Sequence, residues 1–97
     1  MIKLFQFQVQ CFPLQAVLSA LKHPKVDYFS LDIEGAEYAV LKTLDLNQVK
    51  INTFGIEVNH AGEIFNGTRK QIQEYLELNS YKFVGQCKID DFYVLNK

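Results

Sequence analysis

Asp32, Glu34 and Glu37 crowd the end of an apolar run, and an amide and an imidazole, Asn59 and His60, follow a second apolar run. A carboxylate can hold a substrate hydroxyl or a hard cation. An amide oxygen can add a second ligand, and an imidazole with an ordinary pKa of about 6.5 can take up a proton near neutral pH. If the two runs are neighbouring strands, their ends lie about 5 Å apart, so Asp32 and the pair Asn59-His60 look into one crevice. In open α/β sheets ligands bind beyond the carboxyl ends of the strands. Two readings of Asp32 follow: with Asn59 it ligates a cation such as magnesium, or it hydrogen-bonds a substrate hydroxyl directly. His60 either takes the proton from an attacking hydroxyl or makes only local loop contacts.

The neighbouring acids have structural readings beside the chemical one. Glu34 and Glu37 complement the positive end of a helix dipole, with Lys42 suited to the other end, and Glu34 is the one better placed to reach the crevice as a substrate contact. Glu57 falls inside a strand expected to be buried, where a bare carboxylate is costly. It therefore needs a backbone amide, a lysine or an arginine, and reads as an anchor more than a catalyst. Phe65, in the following loop, either covers a substrate or packs on the core.

The elements that position these residues can be read from periodicity. Phe5, Phe7, Val9 and Cys11 alternate with Gln6, Gln8 and Gln10, which predicts a half-exposed strand. Pro13 suits a first helical position, and Leu14, Val17, Leu18 and Leu21 mark a core stripe up to His23-Pro24. Val26, Tyr28, Phe29 and Leu31 lack polar alternation, as expected of a parallel strand covered on both faces. A helix from about Gly35 to Leu44, a polar connection over 45–50 and a strand over 51–58 complete a right-handed βαβ unit. Thr68 with Gln71 forms a capping box for a helix that turns Ile72, Tyr75 and Leu76 inward and stops near Asn79-Ser80. Tyr81–Cys87 and Phe92–Leu95, separated by a polar turn, pair as an antiparallel hairpin. The expected fold class is α/β, with parallel strands followed by that hairpin and helices on both faces.

Composition narrows the function classes. With 97 residues, 48% hydrophobic and 22% charged, the chain suffices for one small globular unit. A net charge of -1 without a basic run leaves no nucleic-acid footprint. No apolar stretch approaches the roughly 20 residues of a membrane span, and MIKLFQFQVQ is too polar for a signal peptide. Cys11 and Cys87 are far apart and read as free, partly buried thiols, and His23 and His60 have no companions at zinc-ligand spacing. Asn66-Gly67-Thr68 fits a glycosylation acceptor, but Asn-Gly is first a turn signal.

The segments VDYFSLDIEGAEYAVLKTL, FGIEVNHAG, YKFVG and DDFYVLNK, in that order, resemble the C-terminal half of an FkbM-type methyltransferase domain. The resemblance spans roughly residues 12 to 95, and the Asp-Ile-Glu-Gly-Ala-Glu block is its most specific part. It implies a class I methyltransferase, Rossmann-like sheet in which that block follows the fourth strand and IEVNH ends the fifth. S-adenosylmethionine is the implied cofactor and a hydroxyl on a sugar or other small molecule the implied acceptor. Asp32 and His60 then stand at the acceptor, Glu34 and Asn59 beside it. Magnesium at Asp32 and Asn59 would match the site that some class I O-methyltransferases build from the same two strand ends.

In the family a glycine-rich loop after the first strand holds the methionine part of the cofactor. The five glycines here contain no G-x-G pair, and no acid is placed to hold a ribose. Residues 1–97 are therefore expected to form a single partial domain that, alone, binds the cofactor weakly or not at all. The Val26–Asp32 strand is expected to expose an edge prone to self-association, since its family neighbour is lacking. Star-like animal members also resemble the chain and imply the alternative, a non-catalytic interaction module in secretory trafficking.

Overall fold

The computed structural model describes residues 8–22, 24–64 and 67–96. In chain order they form α1 (Leu14–Ala20), β1 (Lys25–Leu31), α2 (Glu37–Thr43), β2 (Lys50–Glu57), α3 (Arg69–Leu78), β3 (Tyr81–Cys87) and β4 (Asp90–Leu95). The strands make one mixed sheet in the order β1-β2-β4-β3. β1 and β2 run parallel, with Phe29 opposite Phe54 and Leu31 opposite Ile56, as the βαβ reading requires. β3 and β4 form the expected antiparallel hairpin, and β4 is the strand that docks against β2. β1 thus lies at one border of the sheet, and among the described residues no strand pairs with its outer side.

The core lies on one face of this sheet. Phe54, Ile56 and Tyr93 are fully buried there, in register with Phe29 and Leu31. Leu18 of α1, Leu41 of α2, and Ile72 and Leu76 of α3 join the same cluster. α1 touches α2, α2 touches α3, and α3 leans on β3, so the three helices form a single layer. The expectation of helices on both faces is corrected accordingly. Side chains alternate along a strand, and the register groups Tyr28, Thr53, Phe92 and Val94 on the other face. Tyr28 is 52% exposed there. Its hydroxyl occupies the space that a side chain on Gly55 would fill. Among the described residues no second helix layer covers β1, and the apolar residues of this strand, interrupted by Asp27 and Ser30, include a ring that shields its own sheet.

Two further expectations change. Val17 and Leu21 are exposed, so only Leu18 of the α1 stripe is fully in the core, and Pro13 is the N-cap instead of the first helical residue. α1 meets α2 but packs on no other described helix to a comparable extent, and one such neighbour cannot cover a broad stripe. Gln8–Cys11 are exposed and not in a strand, while Phe5 and Phe7 lie outside the described residues. Alternation yields a strand only where a ladder partner exists. Cys11 and Cys87 are free as expected but exposed, not partly buried.

The later elements follow their local signals. Thr68 accepts from the Gln71 amide at 3.2 Å while the Gln71 side chain accepts from the Thr68 amide at 2.8 Å, a complete capping box. α3 then buries Ile72 and Leu76, and the Tyr75 hydroxyl reaches the Leu41 carbonyl. Arg69, in its first turn, grips the fully buried Asp91 of β4 with two hydrogen bonds of 2.5 and 3.0 Å. Among the described residues no helix is long and apolar enough to cross a membrane.

Candidate active site

β1 delivers its last residue to a tight loop, Asp32–Ala36, before α2 begins. Glu34 (φ 55°) and Gly35 (φ 102°) take the left-handed backbone that reverses the chain. Glu37, the first residue of α2, turns its carboxylate back under this loop and accepts from the Ile33 amide at 2.7 Å and the Gly35 amide at 3.0 Å. It is fully buried. Glu37 stands in the first turn of α2, as dipole complementation expects, but its bonds brace the preceding loop and cap no helical amide.

β2 ends beside it. Glu57 is 3% exposed, and its Oε1 accepts from the Asn59 amide at 2.6 Å, the kind of backbone partner expected for it. Its Oε2 is buried and has no hydrogen-bond partner among the described residues. Asp32, Glu37 and Glu57 each bring one carboxylate oxygen into a group whose members all lie within 4.8 Å of one another. Burial raises the Glu57 pKa above the ordinary carboxylate range, opposed by the Asn59 amide and reinforced by the charges of Asp32 and Glu37. The loop after β1 and the loop after β2 meet here, with His60 Nε2 3.2 Å from Glu34, as the strand adjacency requires.

His60 stands between carboxylates. Its Nδ1 lies 2.9 Å from Glu63 and its Nε2 3.2 Å from Glu34, with the Asn59 amide nitrogen 3.4 Å from the same Nε2. The Glu63 hydrogen bond is the leading cause of a raised imidazole pKa, and the charges of Glu63, Glu34 and Glu57 add to it while desolvation opposes. The two loops also touch through their main chains. A Cβ on Gly35 would sit 2.8 Å from the His60 carbonyl oxygen, closer than side-chain carbons approach. Glycine at 35 thus serves both the reversed backbone and the approach of His60.

The structure places Asp32, Glu34 and His60 around this crevice, all at least partly solvent-accessible. Asn59 is there too, but its side-chain amide meets His60, while the acids that converge with Asp32 are Glu37 and Glu57. Phe65 and Asn66 lie outside the described residues. Sequence reasoning missed Glu63, although its spacing of three from His60 within one loop was visible. It also missed the convergence of Glu37 with Glu57, whose trace in the sequence was an acid two residues after Gly35. A cleft of about 370 Å³ lined by Lys25, Val26, Asp27, Lys50, Asn52 and Leu95 lies at the opposite end of the parallel pair, away from these groups.

The sequence model of the family described as Methyltransferase FkbM domain matches residues 4–83. No curated protein and no solved structure matches the chain significantly.

Proposed function

The chain belongs to the FkbM methyltransferase domain family, and from that premise we propose that it forms the acceptor side of an S-adenosylmethionine-dependent O-methyltransferase acting on a hydroxyl of a sugar or other small molecule. S-adenosylmethionine is the usual cofactor of such a domain and supplies an electrophilic methyl group carried on a sulfonium. The glycines of this chain form no G-x-G loop to cradle it, and no residue here is assigned to holding it. What the residues do fit is the hydroxyl.

The observation that carries this reading is the arrangement of Asp32, Glu34 and His60 around the carboxyl end of the parallel pair. Asp32, exposed at the strand end, accepts a hydrogen bond from the acceptor and fixes its orientation. Nδ1–H of His60 donates a hydrogen bond to the Glu63 carboxylate, which leaves Nε2 as the basic nitrogen on the side of Glu34. Nε2 then takes the proton from the hydroxyl as it becomes a nucleophile. The Glu34 carboxylate, on an exposed side chain, stabilises the resulting imidazolium and gives way when the substrate enters. Asn59 holds the imidazole from the side of its own loop.

Transfer of a labelled methyl group to a panel of hydroxylated acceptors tests the reading, using the longest gene product that contains these residues. The expected result is turnover that Asp32→Asn and His60→Gln abolish without loss of cofactor affinity. Turnover unchanged in both variants would overturn it. In the isolated chain, calorimetry at millimolar cofactor, a regime of about -4 kcal/mol, is expected to show weak binding or none. A non-catalytic interaction module is the second reading, favoured by the missing G-x-G pair. Micromolar cofactor binding by this chain would speak against that module.

A further inference from the structure

We infer that Asp32, Glu37 and Glu57 form a binding site for one hard divalent cation, held by carboxylate oxygens alone. Two ligand oxygens on opposite sides of a cation are separated by twice the metal–oxygen distance. That is roughly 4.2 Å for magnesium and about 4.8 Å for calcium, and one oxygen from each of the three acids lies within 4.8 Å of the others, close enough to share one ion. Sulfur and imidazole are absent from the set, which favours oxygen-loving cations over zinc or copper.

Glu57 supplies the second, independent observation. Its Oε2 is buried and has no hydrogen-bond partner among the described residues, on a residue that is 3% exposed and shares one cluster of carboxylates with Asp32 and Glu37. A buried carboxylate oxygen without a partner is costly. Among the described residues, no lysine or arginine comes within ion-pair distance of any of the three acids. A cation between them removes their mutual repulsion and gives the buried Glu57 carboxylate a further partner.

The ligands are also held in place by the main chain. Both oxygens of Glu37 accept backbone amides and Oε1 of Glu57 accepts the Asn59 amide, yet each oxygen keeps a second lone pair for a metal. Asp32, the exposed member, leaves one side of the site open to water, which suits a cation that retains part of its hydration. The ligand set differs from the pairing of Asp32 with Asn59 expected from sequence: Glu37 and Glu57 take the place of the amide.

The site is read by binding and stands whether or not the chain transfers methyl groups. The test is calorimetric titration of the full chain with magnesium, manganese and calcium chlorides in chelator-treated buffer, with the melting temperature followed in parallel. The expected result is a saturable single-site heat for at least one cation and a rise in melting temperature. Both weaken by about tenfold or more in Asp32→Asn and Glu57→Gln and persist in Glu74→Gln on the far helix. Asp32 is exposed, so circular dichroism separates a lost site from a lost fold. Absence of saturable binding, or binding that Asp32→Asn leaves intact, overturns the proposal. If no acceptor is methylated while the cation binds as expected, the functional reading falls and this one remains.

Discussion

Asp91 and Glu57 are both buried carboxylates on adjacent strands, and the protein treats them oppositely. Asp91 faces the helix layer, where α3 brings Arg69 into a two-pronged hydrogen-bonded ion pair. Glu57 alternates to the other face, where no lysine or arginine among the described residues pairs with it, and one of its oxygens is left without a partner. An interior acid that is met by a guanidinium closes the structure and asks for nothing more. One met by a single backbone amide and by other acids keeps an unmet electrostatic demand, and that demand marks the end of the sheet where a ligand is expected.

Arg69→Ala should produce the largest effect, because it turns the satisfied acid into an unsatisfied one. We expect a loss of about 3 kcal/mol in urea unfolding, since the guanidinium is half exposed but Asp91 is fully buried. A negligible loss would break the comparison. Glu57→Gln should act in the opposite direction: in cation-free buffer, removing the charge while keeping the shape raises stability by about 1 kcal/mol. A large loss there would show that Glu57 is compensated after all.

Asp32→Asn should leave stability within about 0.5 kcal/mol, since the residue is exposed, while eliminating methyl transfer. The smallest effect concerns the pH profile of turnover. His60 has a raised pKa, so its ion pairs with Glu34 and Glu63 are fully present below the ordinary imidazole value and are lost as pH rises through the raised one. Turnover that needs neutral His60 therefore increases over that upper range. Glu63→Gln removes the leading cause of the shift and should move the midpoint to lower pH; a fixed midpoint would mean that another group titrates.

The parts of the fold decided by near neighbours in sequence were legible. The capping box at Thr68 and Gln71, the hairpin and the parallel crossover each carry their instruction within a short segment. The exposure of most of α1 and the lack of a described helix on one sheet face were not, because both depend on which elements are present to cover them. The same division holds at the site. Strand adjacency brought the Asp32 and His60 loops to one end of the sheet. The return of Glu37 beneath its own loop depends on two left-handed residues, Glu34 and Gly35, and glutamate at such a position gives no warning in composition or periodicity. The partner of Asp91 was equally hidden, since Arg69 and Asp91 meet only through the packing of α3 on the sheet.

The approach of Gly35 to the His60 carbonyl has a consequence for how such a site can change. The spacing between the acid-bearing loop and the imidazole-bearing loop is gauged by main chain against main chain, not by the side chains that look outwards. Positions such as Glu34 and Asn59 can be rewritten to greet a different acceptor while the gauge stays the same. Position 35 cannot, because any larger residue there acts as a wedge between the two loops. Redesign of acceptor preference should therefore be easy around this glycine and blocked at it.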